Sequence, residues 1–235
     1  MSSNSPIQNE RFDDVVREFI DFINAQVGVY MDALAGFEGH YARVERQIHM
    51  ANRPTSLRKA DDGEQVMVWT SYEDPSKPDI IHNRIIRAED YLLINAPGGA
   101  NEQQHARAII VFLYTAWELE YRPRLAVAKS IDLNEIKSDV MGDLRIIRHS
   151  ILHTKSTLSS EDHRKLKKLG VLFQPDQLFS ISYENMHQIF ILTKQECGRL
   201  LSEWLNLGDT SPLTSPIHDI AVQRVYPTDG NRRIP

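Results

Sequence analysis

Apolar residues recur every three or four positions along the first fifty residues of this 235-residue chain. The stripe begins at Phe12 and ends at Ile48, and its spacing is that of the buried face of an amphipathic helix. A helix of roughly 38 residues would be close to 60 Å long, and Gly36 and Gly39 argue against its being continuous. Two interpretations of the stripe stay open: packing against a domain core, or a coiled-coil or dimer seam.

Turn and breaker residues follow this stripe. Residues 52–80 contain three prolines and an Asp-Asp-Gly turn signal. Between them, the β-prone run Val66–Thr70 predicts a short hairpin with a segment near residues 80–86. The pattern therefore predicts a loop or hairpin insertion over residues 52–84, followed by a helix over residues 85–94 that ends before Pro97.

Helical periodicity returns in the second half of the chain. Pro123 is expected to end the first of these helices, Ser159 and Ser182 have the position of N-caps, and Gly208 stops the last helix. The predicted helices run from Asn101 to about Tyr121, from just after Asn134 to roughly Lys155, from Arg164 to Leu169, and from Ser182 to about Leu207. The predicted fold class is all-α, a helical bundle with a long N-terminal helix and a small β-hairpin insertion.

The predicted organisation is a flexible lead over residues 1–9, a single helical domain over residues 10–207, and an arm or disordered tail over residues 208–235. Hydrophobic residues make up 41% of the chain and charged residues 25%, which is ordinary for a globular protein. One cysteine, a polar start and no apolar run near 18 residues predict a cytoplasmic protein without a membrane span. The net charge of −5 excludes coating of nucleic acid by bulk charge, so any such contact must be local.

The sharpest chemical feature is the run Arg148-His149-Ser150-Ile151-Leu152-His153 in the predicted fourth helix. At about 100° per residue, Arg148 and His153 lie roughly 140° apart around the helix axis and about 7.5 Å apart along it. They do not share a face within one helix, so a helix end or a second subunit would have to bring them together. His149 and His153, four residues apart, do share a face.

This run resembles the signature of the HEPN superfamily, in which Arg is followed by a polar residue, three further residues and His. The context is similar too, because HEPN domains are helical bundles that carry the motif late in a helix. An aromatic and acidic helix precedes it, as Trp117-Glu118 and its surroundings do here. The resemblance covers residues 85–205, as a HEPN-like core, and leaves the hairpin and the tail unexplained.

The resemblance implies metal-independent cleavage of RNA, without a cofactor, by a homodimer whose motif helices form one composite cleft. His153 would be the general acid or base, Arg148 would hold the phosphate, and His149 would orient or assist. Ser150 and Glu118 are candidate supporting residues. Glu118 could face the motif and pair with Arg148 or His153, and the alternative is an ordinary exposed helix acid. The products would be a 2′,3′-cyclic phosphate and a 5′-hydroxyl. A toxin or defence effector with a neutralising antitoxin protein would be in keeping with this activity.

Local charge favours an RNA contact near the motif. Between Leu144 and Lys168 the chain carries a net charge of +5, although the whole chain is at −5. The alternative is a solvated basic face near a helix C-terminus, where the helix dipole favours cations. The candidate RNA-binding residues are Arg145, Lys155, Arg164, Lys165, Lys167 and Lys168.

Two other functions compete with the ribonuclease. His149 and His153 have the spacing of two zinc ligands, but the sequence offers no evident third ligand, so no metal is predicted. A non-catalytic HEPN-like helical module that binds a protein or nucleotide partner would instead keep Arg148 and His153 for dimer contacts.

Overall fold

The computed structural model describes residues 10–50, 57–74 and 76–206, and this part of the chain is mostly helical with a small antiparallel sheet. The predicted lead over residues 1–9 and the tail over residues 208–235 lie outside the described residues. The helices are α1 (Phe12–His49), α2 (Ala88–Asn95), α3 (Ala100–Ala116), α4 (Arg122–Lys129), α5 (Asp139–His153), α6 (Ser160–Lys165) and α7 (Tyr183–Trp204). The strands are β1 (Arg58–Lys59), β2 (Gln65–Asp74) and β3 (Lys77–Arg87).

The long N-terminal helix is continuous over 38 residues, although Gly36 and Gly39 argue against continuity. Gly36 and Gly39 do not break it, because both lie on its exposed side, where each costs about 1 kcal/mol and disrupts no packing. The stripe serves two separate hydrophobic clusters. Residues from Phe12 to Leu34 are part of the main core, whereas Val44 packs with the sheet and α2. The helix is long because it packs against both clusters.

Four long helices build the main core. α1 packs against α3 and α7, and α5 packs against the same two helices, so the four enclose one apolar interior. Burial of these side chains is the principal stabilising contribution to the bundle. The central residues are Phe19 and Ile23 of α1, Ile110 and Leu113 of α3, Leu144 and Ile147 of α5, and Ile189 and Phe190 of α7.

The predicted hairpin is present and is longer than expected. β2 pairs with both β1 and β3 in antiparallel register, and Met67 lies opposite Ile86. The helix predicted over residues 85–94 is wrong at its start, because β3 continues to Arg87 and α2 begins at Ala88. Two consecutive β-branched isoleucines favour the strand ladder over the first turn of a helix.

Pro123 is predicted to end the helix that begins at Asn101, but the helix continues past it. The helix passes through a π-helical turn, Trp117–Tyr121, and continues as α4. The backbone N–H of Arg122 bonds to the carbonyl of Trp117, five residues back, and Pro123 has no N–H to donate to an α-helical bond. The proline is accommodated near the start of α4, where a missing donor costs least.

The boundaries of the later helices also differ from the predictions. α5 begins at Asp139 instead of just after Asn134, because the Ser138 hydroxyl caps it by accepting the N–H of Met141. Ser159 and Ser182 are N-caps, as predicted. The basic helix predicted from Arg164 to Leu169 is instead α6 (Ser160–Lys165), and the backbone beyond it turns towards α5. α7 ends at Trp204, three residues before the predicted end near residue 207.

Arg124 on α4 joins the N-terminal end of α1 to the bundle, with its guanidinium 3.0 Å from carboxylate oxygens of both Glu10 and Glu18. These contacts lower the pKa of both glutamates below the ordinary 4.5. Their stabilising effect is therefore fully present above pH 4.5 and is lost as the pH falls through the lowered folded-state pKa.

We expect Arg124→Met to lower the free energy of unfolding by about 1 kcal/mol at pH 7, since both carboxylates are largely exposed. The difference from the parent should disappear in acid. Urea denaturation at pH 7 and pH 3 measures both values. The control is Arg17→Met. It removes an exposed guanidinium that lies 3.8 Å from Asp13, a longer contact than those of Arg124. A difference that persists unchanged at pH 3 would contradict this account.

Candidate active site

The motif helix α5 presents two different faces. Val140, Leu144 and Ile147 point into the main core, and the opposite face, towards the end of the helix, is open to solvent. His149 and His153 are both exposed on that outer face. The packing of the apolar positions thus determines which side of the motif can meet a ligand.

The two motif histidines lie next to each other. Their ring centroids are 4.6 Å apart with a tilt of 39°, which confirms the prediction that His149 and His153 share a face. Within the described residues, neither ring forms a hydrogen bond. Both imidazoles are therefore accessible to a ligand from solvent.

Arg148 is half-buried and turned away from the histidines onto α3. Its guanidinium carbon lies 5.6 Å from the ring centroid of Tyr114, the distance of a cation–π contact. Its Nε is buried and has no hydrogen-bond partner. The side chain forms no ion pair with any described residue. A buried donor without an acceptor costs about 1–3 kcal/mol, and an anionic ligand that reached this nitrogen would relieve that cost.

Glu118 pairs with neither Arg148 nor His153, although the sequence analysis allowed such a pair. The π-helical turn places its carboxylate 3.2 Å from Arg122 Nη1, and the Tyr114 hydroxyl donates to it at 3.2 Å. Burial raises the pKa of Tyr114, and the neighbouring Glu118 charge raises it further, so the hydroxyl remains a donor. The acidic side chain is satisfied by these two partners, which leaves the charge of Arg148 uncompensated. Turns of this kind are frequent at functional sites.

Within one chain the structure does not bring Arg148 and His153 together. Arg148 packs on α3, whereas His153 contacts His149 on the outer face. This arrangement matches the angle of roughly 140° between the two positions on one helix.

Ser150 lies in the core and supports the end of α5. It is 2% exposed, and its hydroxyl donates to the carbonyl of Ile146. Its own carbonyl accepts the N–H groups of Thr154 and Ser156, which ends the helix at His153. Its contacts are those of a structural residue.

The basic residues near the motif fall into two groups. Lys165 pairs with Glu161 and Asp162, and Lys167 pairs with Asp139 at 2.7 Å, so both charges are already compensated. The other four are exposed and form no ion pair among the residues that the structure describes. These four, Arg145, Lys155, Arg164 and Lys168, retain the charge that an RNA backbone could use.

Asp143 has a role that the sequence analysis missed. It is 2% exposed, and its carboxylate accepts the backbone N–H groups of Lys167, Lys168 and Leu169 at 2.7–2.9 Å. This contact holds the basic segment after α6 against the motif helix. An acid at a position that steps with the apolar residues of α5 was the available signal, since a buried carboxylate must find donors.

The described ranges contain no group of three or more His, Cys, Asp or Glu side chains placed to hold a metal ion. A zinc site built on His149 and His153 therefore lacks a third ligand there. No helix in the same ranges is both long enough and apolar enough to cross a membrane.

Comparison with known proteins yields no match of this chain to any known family, to any curated protein or to any solved structure. Among the described residues, the motif helix combines a guanidinium that lies on Tyr114 without an ion-pair partner and two accessible imidazoles.

Proposed function

We propose that this chain is a metal-independent endoribonuclease of HEPN type that cleaves RNA through its own 2′-hydroxyl. The observation that carries the proposal is the state of Arg148: among the described residues its half-buried guanidinium has no carboxylate partner and its Nε has no acceptor. Phosphate is a ligand that a planar guanidinium binds well, by two parallel hydrogen bonds. The accessible His149 and His153 provide groups that transfer protons near neutral pH.

The reaction needs two proton transfers and one stabilised charge. His153 removes the proton from the 2′-hydroxyl, whose oxygen then forms a bond to phosphorus. Arg148 stabilises the negative charge that develops on the phosphate oxygens. The bond from phosphorus to the 5′-oxygen breaks, and an imidazolium donates a proton to that oxygen. The products are a 2′,3′-cyclic phosphate and a 5′-hydroxyl, and no metal ion takes part.

The proposed active unit is a homodimer formed through α5. Arg148 and His153 of one chain face different directions, so a phosphate would be held by Arg148 of one copy and approached by His153 of the other. Leu152, 49% exposed on the outer part of the helix, offers an apolar contact for such a dimer. A role as a toxin or defence effector with a neutralising antitoxin belongs to the same proposal.

Purified protein incubated with labelled RNA in EDTA tests this function. Cleavage should persist in the chelator, and Arg148→Ala and His153→Ala should each reduce it by about 100-fold or more. His187→Ala, at an exposed histidine on α7, and Arg17→Ala are matched controls that should cleave like the parent. Uncleaved RNA in every sample would favour the non-catalytic interaction module. Cleavage that stops in EDTA and returns with zinc would favour a metal site.

Mixing two inactive variants tests the composite site. If Arg148 and His153 act from opposite copies, Arg148→Ala mixed with His153→Ala should regain up to about a quarter of the parent activity, because half of the dimers then carry one intact site. Size-exclusion chromatography of Leu152→Asp should show a shift towards monomer. Mixed variants that exchange subunits and stay inactive would exclude a site shared in this way.

A further inference from the structure

A row of aromatic rings ends in an arginine at each side, on a surface formed by α1, β2, β3 and α2. In order, it contains Arg43, His40, Tyr91, Trp69 and Arg84, and we refer to it as the aromatic row. Its members come from four elements, α1 and the consecutive β2, β3 and α2. The row forms where α2 packs against α1 and the hairpin.

The members of the row are in direct contact. The Arg84 guanidinium carbon lies 5.4 Å from the Trp69 ring centroid, and the centroids of Trp69 and Tyr91 are 5.3 Å apart. Tyr91 and His40 follow at 6.4 Å, and an Arg43 nitrogen lies 3.1 Å from His40 Nδ1. Cross-strand pairing places Arg84 opposite Trp69, so this end of the row is built into the sheet.

Hydrogen bonds orient the centre of the row. The Tyr91 hydroxyl lies 2.9 Å from His40 Nδ1, the same atom that Arg43 approaches. Because a guanidinium only donates, Nδ1 is the acceptor, and the hydrogen of a neutral His40 is on Nε2. Tyr91 is 6% exposed and also packs into the second hydrophobic cluster. The row is thus held in place before any ligand arrives.

The two ends of the row are open and charged. Trp69 is 38% exposed, and Arg43, His40 and Arg84 are exposed as well. In the described part of the chain, neither arginine forms an ion pair with a carboxylate. A large exposed aromatic ring beside uncompensated cations matches the chemistry of nucleic acid, which has flat apolar bases and charged phosphates.

We propose that the aromatic row binds single-stranded RNA, with a base stacked on Trp69 and phosphates contacted by Arg84 and Arg43. The Arg84 guanidinium lies over the Trp69 ring. When a base stacks on that ring, Arg84 would move to a phosphate of the RNA. Duplex RNA is disfavoured, because its base faces are already stacked on one another. The inference rests on the proposed function only in taking RNA as the ligand.

The row and the motif helix are formed by different elements. The row lies on α1, β2, β3 and α2, whereas His149 and His153 are on α5. The row would therefore contact a part of a long RNA other than the phosphate that is cleaved, and its loss should raise KM for long RNA without changing kcat.

Binding of a labelled 20-nucleotide oligouridine, measured by fluorescence anisotropy in a His153→Ala background, tests the inference without cleavage. We expect Trp69→Leu to weaken binding about ten-fold and Trp69→Phe, which keeps a ring, to weaken it less. Trp204→Leu is the matched control, since Trp204 is similarly exposed (36%) but stacks on Phe12 at the other end of α1. Circular dichroism establishes that each variant is folded.

The results separate this inference from the ribonuclease proposal. Folded Trp69→Leu that binds the oligouridine as tightly as Trp204→Leu would overturn the inference, as would equal affinity of the parent for a duplex of the same length. Tight, Trp69-dependent binding by a protein that cleaves no RNA would support the inference and refute the proposed function. Cleavage of RNA by a protein whose RNA binding does not change in Trp69→Leu would support the proposed function and refute the inference.

Discussion

Replacement of Arg148 by lysine is expected to reduce RNA cleavage about 100-fold while leaving the fold intact. A lysine retains the positive charge but cannot lie flat on the Tyr114 ring, 5.6 Å from the guanidinium carbon, nor bind a phosphate through two parallel hydrogen bonds. The measurement is kcat/KM on a labelled RNA, with the melting temperature as a check on folding. Arg145→Lys is the matched control, an exposed arginine one turn earlier, and should lose less than about five-fold.

Substitutions of Tyr114 test the ring that supports the Arg148 guanidinium without changing the charge of Arg148. Tyr114→Phe keeps the ring under Arg148 and removes only the hydroxyl that bonds to Glu118, so most of the activity should remain. Tyr114→Leu removes the ring and should cost activity nearly as much as Arg148→Lys. Equal activity of the two Tyr114 variants would show that the ring does not position Arg148.

Replacement of Asp143 by alanine is expected to lower the free energy of unfolding by about 3 kcal/mol. The change removes a buried carboxylate and leaves the backbone N–H groups of Lys167, Lys168 and Leu169 without their acceptor. Hydrogen bonds to a charged acceptor are among the stronger ones, and three unsatisfied donors next to the core add to the loss. Urea denaturation monitored by circular dichroism gives the value.

Asp139→Ala is the control for this experiment. Asp139 lies one turn earlier on α5 and pairs with the Lys167 side chain at an exposed site, so its removal should cost less than about 1 kcal/mol. Similar losses for Asp139→Ala and Asp143→Ala would contradict the anchoring role of Asp143. Because Asp143 holds the segment that carries Lys168, its loss should also weaken RNA binding by the folded protein.

Local spacing along a sequence does not show which neighbouring element a side chain contacts, and this limits prediction of the candidate site. The four-residue spacing of His149 and His153 correctly placed both on one face, because helix geometry alone determines it. The sequence leaves open whether Glu118 pairs with the motif or is an ordinary helix acid, because its partners depend on a π-helical turn that the sequence analysis did not foresee. Tyr114 was missed for a similar reason, since its contact with Arg148 joins two separate helices.

The charges show the same limitation. Six basic residues near the motif were counted as one RNA-binding patch, yet Lys165 and Lys167 are already paired with acids. The partner of Lys167 is Asp139, 28 residues away on α5. Charge counted along a sequence measures what is nearby in the chain, whereas the available charge depends on which side chains the fold brings within hydrogen-bond distance.

Spacing and residue preferences along the chain predict the local features: a long amphipathic helix that begins near Phe12, the hairpin, and the capping of helices by Ser159 and Ser182. These features follow from periodicity and backbone preferences, which act over a few residues. The folded chain alone shows that α1 is continuous past Gly36 and Gly39, that Arg148 lies on Tyr114, and that Trp69 is part of an aromatic row. The last two depend on packing between separate elements, where burial of the whole core, not the preference of any one segment, selects the arrangement.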